Sequence, residues 1–251
     1  MKGAIYEKIK LCWGGGNLLS SSSKVFTLAE GTTCVAMSNG YRKAAFTLAE
    51  VLVTLGIIGV VSAMTVPSLM QNYQRQSYVT QLHKVYNEMQ QALVQYQTDT
   101  NAVNLTEAGL TSNVKLRSFI KSYFKVIKEC EELEGCFASD YKNLNGGSAN
   151  FAKLKSFVLA SGASIRPTLS AGNSDINVYF AVDVNGPKGP NILGRDCFFI
   201  FVFNNGMIDD NGTSAPLSTE EREKLFDESC FGNGTTGCFG RILNDNWEMT
   251  Y

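Results

Sequence analysis

The sequence lacks several features that would place it in common functional classes. It has a single apolar stretch long enough to cross a bilayer, residues 46–66, whereas a polytopic membrane protein would need several. It has one histidine, His83, expected to face solvent, and no nucleophile or phosphate-binding loop accompanies it, so we expect no enzyme. The formal net charge of −1 indicates no basic surface for nucleic acid. With 44% hydrophobic and 18% charged residues, the chain is not a disordered one either.

Charge is distributed unevenly on the two sides of the apolar stretch. The first 45 residues hold six lysines or arginines and two glutamates, a net +4, and the residues after them carry a net −5. Arg42 and Lys43 directly precede the stretch, and basic residues in that position stay on the cytoplasmic side. We therefore expect the part after Pro67 to be exported. Five of the seven cysteines lie there, in a compartment that permits disulfides.

The apolar stretch differs from a secretory signal and from a plain membrane anchor. A cleavable signal ends in small residues, whereas here Ala44 and Ala45 precede the stretch. Glu50 lies inside it, and a carboxylate near the bilayer centre costs about 2.5–3.5 kcal/mol. The strongly apolar residues around it contribute roughly 0.3–0.6 kcal/mol each, so the stretch still inserts. We therefore expect this acid to have a use of its own.

Ala45 and the sequence that follows it, FTLAEVLVTLGIIGVVSAMTVP, resemble the prepilin-type cleavage and methylation segment of type IV pilins and type II secretion pseudopilins. The resemblance implies that a membrane-bound prepilin peptidase cuts between Ala45 and Phe46 and methylates the new amine of Phe46. Glu50 then becomes the fifth mature residue. Pro67 becomes the twenty-second, at a point where such pilins often bend.

The leader, residues 1–45, departs from the family pattern in two ways. Ala45 stands where the family usually has glycine, a small substitute that should fit the peptidase but slow the processing. The leader is also long. Initiation at Met37 would leave a leader of nine residues, MSNGYRKAA, of the short basic type that the family usually has.

A long helix is predicted to continue from the apolar stretch. Apolar side chains recur three or four residues apart from Tyr78 to Tyr96 and form one helical stripe. The pattern predicts a spine helix over residues 46–98, whose second half packs on a globular domain. The first half must pack elsewhere, on lipid before assembly and on neighbouring helices afterwards. Gly56 and Gly59 would allow those helices to approach closely.

The remainder, residues 99–251, is predicted to form an exported α+β domain. A second amphipathic helix is expected over residues 114–127. Short apolar runs bounded by turn signals indicate strands at 156–159, 177–184, 197–203 and 240–243. Asn-Gly pairs supply turns at 185–186, 205–206 and 211–212. The fold class is therefore α+β and pilin-like, with the long N-terminal helix packed against a C-terminal antiparallel sheet.

The exported cysteines form two close pairs and one remainder. Cys130 and Cys136 are separated by five residues, and Cys230 and Cys238 by seven, so each pair can close a small loop. We predict the disulfides Cys130–Cys136 and Cys230–Cys238, because export favours oxidation. Zinc is the alternative, but neither pair has the short spacing typical of zinc ligands. Cys197 begins an apolar run and is expected to be a small buried hydrophobe.

Oxygen-bearing side chains cluster around the predicted turns. Asp183, Asn185 and Asp196 are candidate calcium ligands, because calcium prefers oxygen atoms supplied at alternate positions. No glutamate closes a twelve-residue loop, so ordinary turn chemistry is the competing interpretation. No other cofactor is expected.

The resemblance and the charge distribution together predict a structural role. We expect a pseudopilin or minor pilin of a type II secretion or type IV pilus-like filament, anchored by one span in the inner membrane with its N-terminus in the cytoplasm. Its partners would be other pilin subunits, the prepilin peptidase and the inner-membrane assembly platform. A DNA-uptake filament subunit and a plain single-span extracytoplasmic binding protein remain the alternatives.

Overall fold

The computed structural model describes residues 47–172, 175–232 and 234–251. The predicted leader and both residues of the predicted cleavage site, Ala45 and Phe46, lie outside these ranges. The chain divides into two units, Met1–Gly56 and Ile57–Tyr251, and the boundary between them falls within the first helix. The globular part of the fold belongs to the second unit.

Helix α1, Leu48–Thr100, contains two stretches of different character. Every side chain from Thr47 to Gln74 is exposed, and Pro67 lies inside the helix. The second stretch buries a stripe of seven apolar residues, Val79, Leu82, Val85, Met89, Ala92, Leu93 and Tyr96, which confirms the predicted periodicity. The helix ends where Asn101 adopts a φ of 51°, the left-handed conformation that asparagine tolerates after a helix.

Helix α2, Asn113–Tyr123, is shorter than predicted. Ser112 caps its beginning by accepting a hydrogen bond from the backbone N–H of Lys115 at 3.3 Å. The prediction of helix up to residue 127 was wrong, because Phe124 is extended and Val126–Cys130 forms strand β1 instead. The apolar residues of this segment fit a helix or a strand equally well. The segment is a strand because it pairs with residues 156–159, which are distant in sequence.

The main sheet has six antiparallel strands in the order β1-β4-β5-β6-β7-β8, and β2 and β3 pair separately. The remaining strands are β2 Tyr141–Lys142, β3 Ser148–Ala149, β4 Ser156–Leu159, β5 Ser164–Leu169, β6 Ile176–Asp183, β7 Cys197–Phe203 and β8 Ile208–Asp209. The predicted strands at 156–159, 177–184 and 197–203 correspond to β4, β6 and β7. The antiparallel sheet and the long helix confirm the predicted α+β class.

The sheet is covered on both faces. One face presents side chains such as Phe157, Ile165 and Phe180 to a core that includes the buried stripe of α1 and the apolar side of α2. The opposite face lies under the segment 131–155, which we name the covering segment, and it buries Cys197 and Ala181 in a second cluster. Strands β6 and β7 therefore have buried residues on both faces, which explains their nearly continuous apolar sequences.

The C-terminal region is helical. It contains α3, Thr219–Leu225, a π-helical turn, Phe226–Cys230, and α4, Cys238–Asn244. The predicted strand at 240–243 was therefore wrong. The buried carboxylate of Asp210, which follows β8, accepts hydrogen bonds from the N–H groups of Gly237 and Gly240 at 2.9 and 2.7 Å. This side chain satisfies backbone donors at the start of α4, a contact between residues far apart in sequence.

Candidate functional site

The beginning of helix α1 is a capping box formed by Thr47 and Glu50. The carboxylate of Glu50 accepts hydrogen bonds from the Thr47 backbone N–H at 2.8 Å and from its hydroxyl at 2.9 Å. The backbone N–H of Glu50 donates in return to the Thr47 hydroxyl at 3.2 Å. These reciprocal bonds satisfy donors that a helix leaves unpaired at its first turn. Glu50 therefore stabilises the start of its own helix, a role that the sequence analysis did not assign.

The exposed stretch of α1 carries no charge beyond Glu50. No Asp, Glu, Lys or Arg occurs from Val51 to Gln74, and large apolar side chains such as Leu48 and Met64 are each 75% exposed. Among the described residues, α1 is the one helix long and apolar enough to cross a membrane, and none of its most apolar window is buried. A soluble monomer rarely leaves so much contiguous apolar surface uncovered, so this surface indicates a membrane or a protein partner.

Small and hydroxyl residues on the same stretch are arranged for an apolar environment. Apart from the adjacent backbone of α1 itself, a Cβ built on Gly56 or on Gly59 would meet no atom of the described residues within 4 Å, so packing among these residues does not require glycine there. The hydroxyls of Thr54 and Thr65 donate to carbonyls of their own helix at 2.9 and 3.0 Å. The stretch can therefore approach another helix closely without burying an unsatisfied hydroxyl.

The two close cysteine pairs have disulfide geometry. The sulfur atoms of Cys130 and Cys136 are 2.10 Å apart, and those of Cys230 and Cys238 are 1.98 Å apart. The first pair joins β1 to the covering segment, and the second joins the π-helical turn to α4. Cys197 is fully buried, and burial together with neighbouring acids raises the pKa of its thiol well above the usual value. That thiol is therefore an inert apolar group rather than a nucleophile.

Of the three candidate calcium ligands, the carboxylates of Asp183 and Asp196 have protein hydrogen-bond donors, whereas Oδ1 of Asn185 is shielded from solvent and has no donor among the described residues. Asp183 accepts hydrogen bonds from the Tyr141 hydroxyl and from the backbone N–H of Asn185. Asp196 accepts from two backbone N–H groups, at 2.8 and 2.7 Å. Within the described ranges, no group of three His, Cys, Asp or Glu side chains is arranged to hold a metal ion. A calcium ion at this position would have to displace donors that the fold already supplies.

Two residues beneath the covering segment were missed by the sequence analysis. Arg166, 2% exposed, lies with its guanidinium carbon 5.7 and 5.9 Å from the ring centroids of Phe151 and Phe199. It donates to the carbonyl of Ala152 at 3.1 Å. Tyr141 contacts Asp183 as described above. Neither residue has a local sequence signal, because both depend on how the covering segment folds back over the sheet.

His83 does not face solvent as the sequence predicted. Its ring stacks on the indole of Trp247 with centroids 4.1 Å apart and planes 17° apart. Tyr86 meets the same indole edge-on at 5.0 Å, and Phe239 lies 6.1 Å from it. The histidine is half-buried and joins the C-terminal tail to α1, so its role in this structure is packing.

Comparison with known proteins agrees with the resemblance. Residues 41–66 match the family model described as the prokaryotic N-terminal methylation motif. The type II secretion system core protein G of Pectobacterium carotovorum subsp. carotovorum is 34% identical over 76 residues, 30% of this chain and 48% of that protein. The chain thus matches about half of this relative's length, and no solved structure matches it. The methylation motif, the exposed apolar helix and the antiparallel sheet together support the resemblance of this chain to type IV pilins and pseudopilins.

Proposed function

We propose that this chain is a structural subunit, a pseudopilin or a minor pilin, of a type II secretion or type IV pilus-like filament. The observation that carries the proposal is the exposed stretch of α1, which has no charged residue beyond Glu50 and whose first part lies within the methylation motif. Packing within the subunit ends at about Arg75, so the stretch before it needs lipid or other helices as its surroundings. In a filament, the packed N-terminal helices of neighbouring subunits would surround this stretch.

Before assembly, the subunit would be a single-pass protein of the inner membrane. The basic residues ahead of the apolar stretch favour a cytoplasmic N-terminus, and the cysteine pairs suit an exported C-terminal domain. The prepilin peptidase would then cut between Ala45 and Phe46 and methylate the Phe46 amine. The inner-membrane assembly platform would transfer the mature subunit into the filament.

Glu50 is proposed to set the register of the subunit during assembly. Its carboxylate already bonds to Thr47, but both bonds use one oxygen, Oε2. The α-amine of a neighbouring subunit could therefore pair with the other oxygen without breaking the capping box. Leaving either charge unpaired in an apolar setting costs several kcal/mol, so a subunit in the wrong register would be disfavoured.

Two measurements test the proposal. Mass spectrometry of the membrane-bound protein should find an N-terminal peptide that begins at Phe46 with a methylated amine. In sheared-filament and membrane fractions, Glu50→Leu should insert and be cleaved as the wild type but enter filaments poorly. Glu220→Gln, which removes an exposed acid from the globular part, is the matched control and should assemble normally. A mature form beginning at Met1 or normal assembly of Glu50→Leu would contradict the proposal.

A further inference from the structure

Arg75 marks the point where α1 passes from its exposed stretch to its packed stretch. It is the first charged residue after Glu50, and the uncharged segment from Val51 to Met70 has 20 residues, the number that a transmembrane helix needs. Arg75 lies five residues beyond Met70, or about 7.5 Å along the helix at 1.5 Å per residue. The headgroup layer of a bilayer is roughly 5–8 Å thick on each side. If Val51–Met70 spans the hydrocarbon, Arg75 is at the depth of the lipid headgroups.

A groove opens at this level between α1 and the C-terminal tail. It has a volume of about 530 Å³, and its walls include Arg75, Gln76, His83, Trp247 and Glu248. The stacking of Trp247 on His83 holds the tail against α1, and a hydrogen bond from the backbone N–H of Trp247 to the Ile242 carbonyl at 2.9 Å ties the tail to α4. The backbone of Trp247 has a φ of 63°, which turns the tail along the groove. The groove is therefore a formed feature of the fold.

Two opposite charges without ion-pair partners line this groove. Arg75 makes no ion pair within the described part of the chain, and its Nε is shielded from solvent with no hydrogen-bond acceptor. Glu248 is exposed and likewise makes no ion pair among the described residues. In the C-terminal helices, by contrast, Arg241 forms an ion pair with Glu223. A ligand with a negative and a positive group would complement this site.

We propose that the groove binds the headgroup of phosphatidylethanolamine from the outer leaflet of the inner membrane. Its phosphate would contact the guanidinium of Arg75, and its ammonium would contact the carboxylate of Glu248. A primary ammonium donates hydrogen bonds to a carboxylate, whereas the trimethylammonium of phosphatidylcholine has no N–H to donate. The apolar helix of a second copy fits this groove less well, because it would leave both charges buried and unpaired. The inference rests on the membrane anchoring proposed above.

The test uses the full chain in non-ionic detergent micelles, with Trp13→Phe so that Trp247 is the sole tryptophan. Dioleoyl-phosphatidylethanolamine and dioleoyl-phosphatidylcholine are titrated separately while Trp247 fluorescence is recorded, and native mass spectrometry counts the bound lipids. The wild type should bind the ethanolamine lipid about tenfold more tightly than the choline lipid, because charge-assisted hydrogen bonds are the stronger ones.

Three variants make the result specific. Arg75→Gln and Glu248→Gln should each lose that preference. Lys84→Gln, which removes an exposed cation from the same helix outside the groove, should keep it. The proposal would be overturned if the wild type bound the two lipids equally tightly. It would also be overturned if Lys84→Gln lost the preference for the ethanolamine lipid to the same extent as Arg75→Gln and Glu248→Gln. A Trp247 signal that follows protein concentration instead of lipid would overturn it in favour of a second copy.

Vesicle flotation separates this proposal from the anchoring on which it rests. A chain that fails to float with vesicles of any composition contradicts the membrane anchoring itself. A chain that floats equally well with ethanolamine and choline vesicles, and shows no preference between the two lipids in micelles, is anchored but has no headgroup site, which overturns the present inference alone.

Discussion

Replacing Asp183 by asparagine is expected to remove the contribution of this buried carboxyl to the pH dependence of unfolding between pH 5 and pH 8. Asp183 is fully buried at the end of β6, and its surroundings contain the hydroxyl of Tyr141, the thiol of Cys197 and the carboxylate of Asp196. Loss of water around the carboxylate raises the pKa of Asp183 to about 8, although the Tyr141 hydroxyl opposes this by donating to it. Asparagine keeps an oxygen that can accept that hydrogen bond but cannot ionise.

The sign and size of the effect follow from proton linkage. In the unfolded chain an aspartate loses its proton near its ordinary pKa of 3.8, whereas folded Asp183 keeps it up to about pH 8. The folded state therefore binds more protons in this window, and the free energy of unfolding falls as the pH rises, by about 1.36 kcal/mol per unit. From pH 5 to pH 8 the loss attributable to this group is on the order of 3–4 kcal/mol.

Urea unfolding of the full chain in detergent, followed by tryptophan fluorescence, measures this difference. The wild type should be less stable at pH 8 than at pH 5, and Asp183→Asn should show a much smaller change. Asp140→Asn, which alters an exposed acid next to Tyr141, serves as the control and should behave as the wild type. If the free energy of unfolding of Asp183→Asn fell with pH as steeply as that of the wild type, the reasoning would be refuted, because the burial of this carboxylate would then not contribute to the pH dependence.

Three further predictions concern the C-terminal domain. Peptide mapping of the oxidised protein should recover the two bridges described above with Cys197 as a free thiol, and any bridge to Cys197 would contradict this pairing. Arg222→Ala should lower the free energy of unfolding by about 3–5 kcal/mol, because it leaves Asp209, whose side chain is 2% exposed, without its ion-pair partner; urea titration measures this. Millimolar calcium should raise the melting temperature if the turn after β6 binds the ion, and an unchanged temperature would argue against that site.

Local periodicity predicted those parts of the fold whose surroundings are uniform along the chain. The stripe from Tyr78 to Tyr96 faces one core over its whole length, so spacing alone identified the buried side of α1. Strands β4, β6 and β7 were predicted for a similar reason, since each is a short apolar run between turn residues. In these segments the local preference and the tertiary environment favour the same structure.

The failures occurred where a distant residue decides the local structure. Residues 240–243 form a helix because Asp210 satisfies the backbone donors of Gly237 and Gly240. The end of α2 was placed too late because β1 pairs with β4, with Val126 opposite Leu159. No window of the sequence short enough for a periodicity argument contains both members of either contact.

Among the candidate sites, too, the sequence reveals contacts between neighbouring residues but not contacts between residues far apart in the chain. The Thr-x-x-Glu pattern of Thr47 and Glu50 before an apolar run is a sequence signature of a capping box, so this contact was accessible from the sequence. The groove at Arg75 was not, because its other wall is formed by Trp247 and Glu248 at the far end of the chain. His83 was placed in solvent for the same reason, since its stacking partner is Trp247.

The exposed stretch of α1 also limits what can drive assembly of the proposed filament. Lipid tails are as apolar as leucine side chains, so moving this stretch from a bilayer to a bundle of similar helices gains little from the hydrophobic effect. The net preference must therefore come from close packing and from the few polar groups on the stretch. Thr54 and Thr65 are already satisfied by their own helix, which leaves Glu50 as the one charged group of the stretch and Gly56 and Gly59 as the sites of close approach. A change at Glu50 should consequently affect assembly more than the loss of any one large apolar side chain beside it.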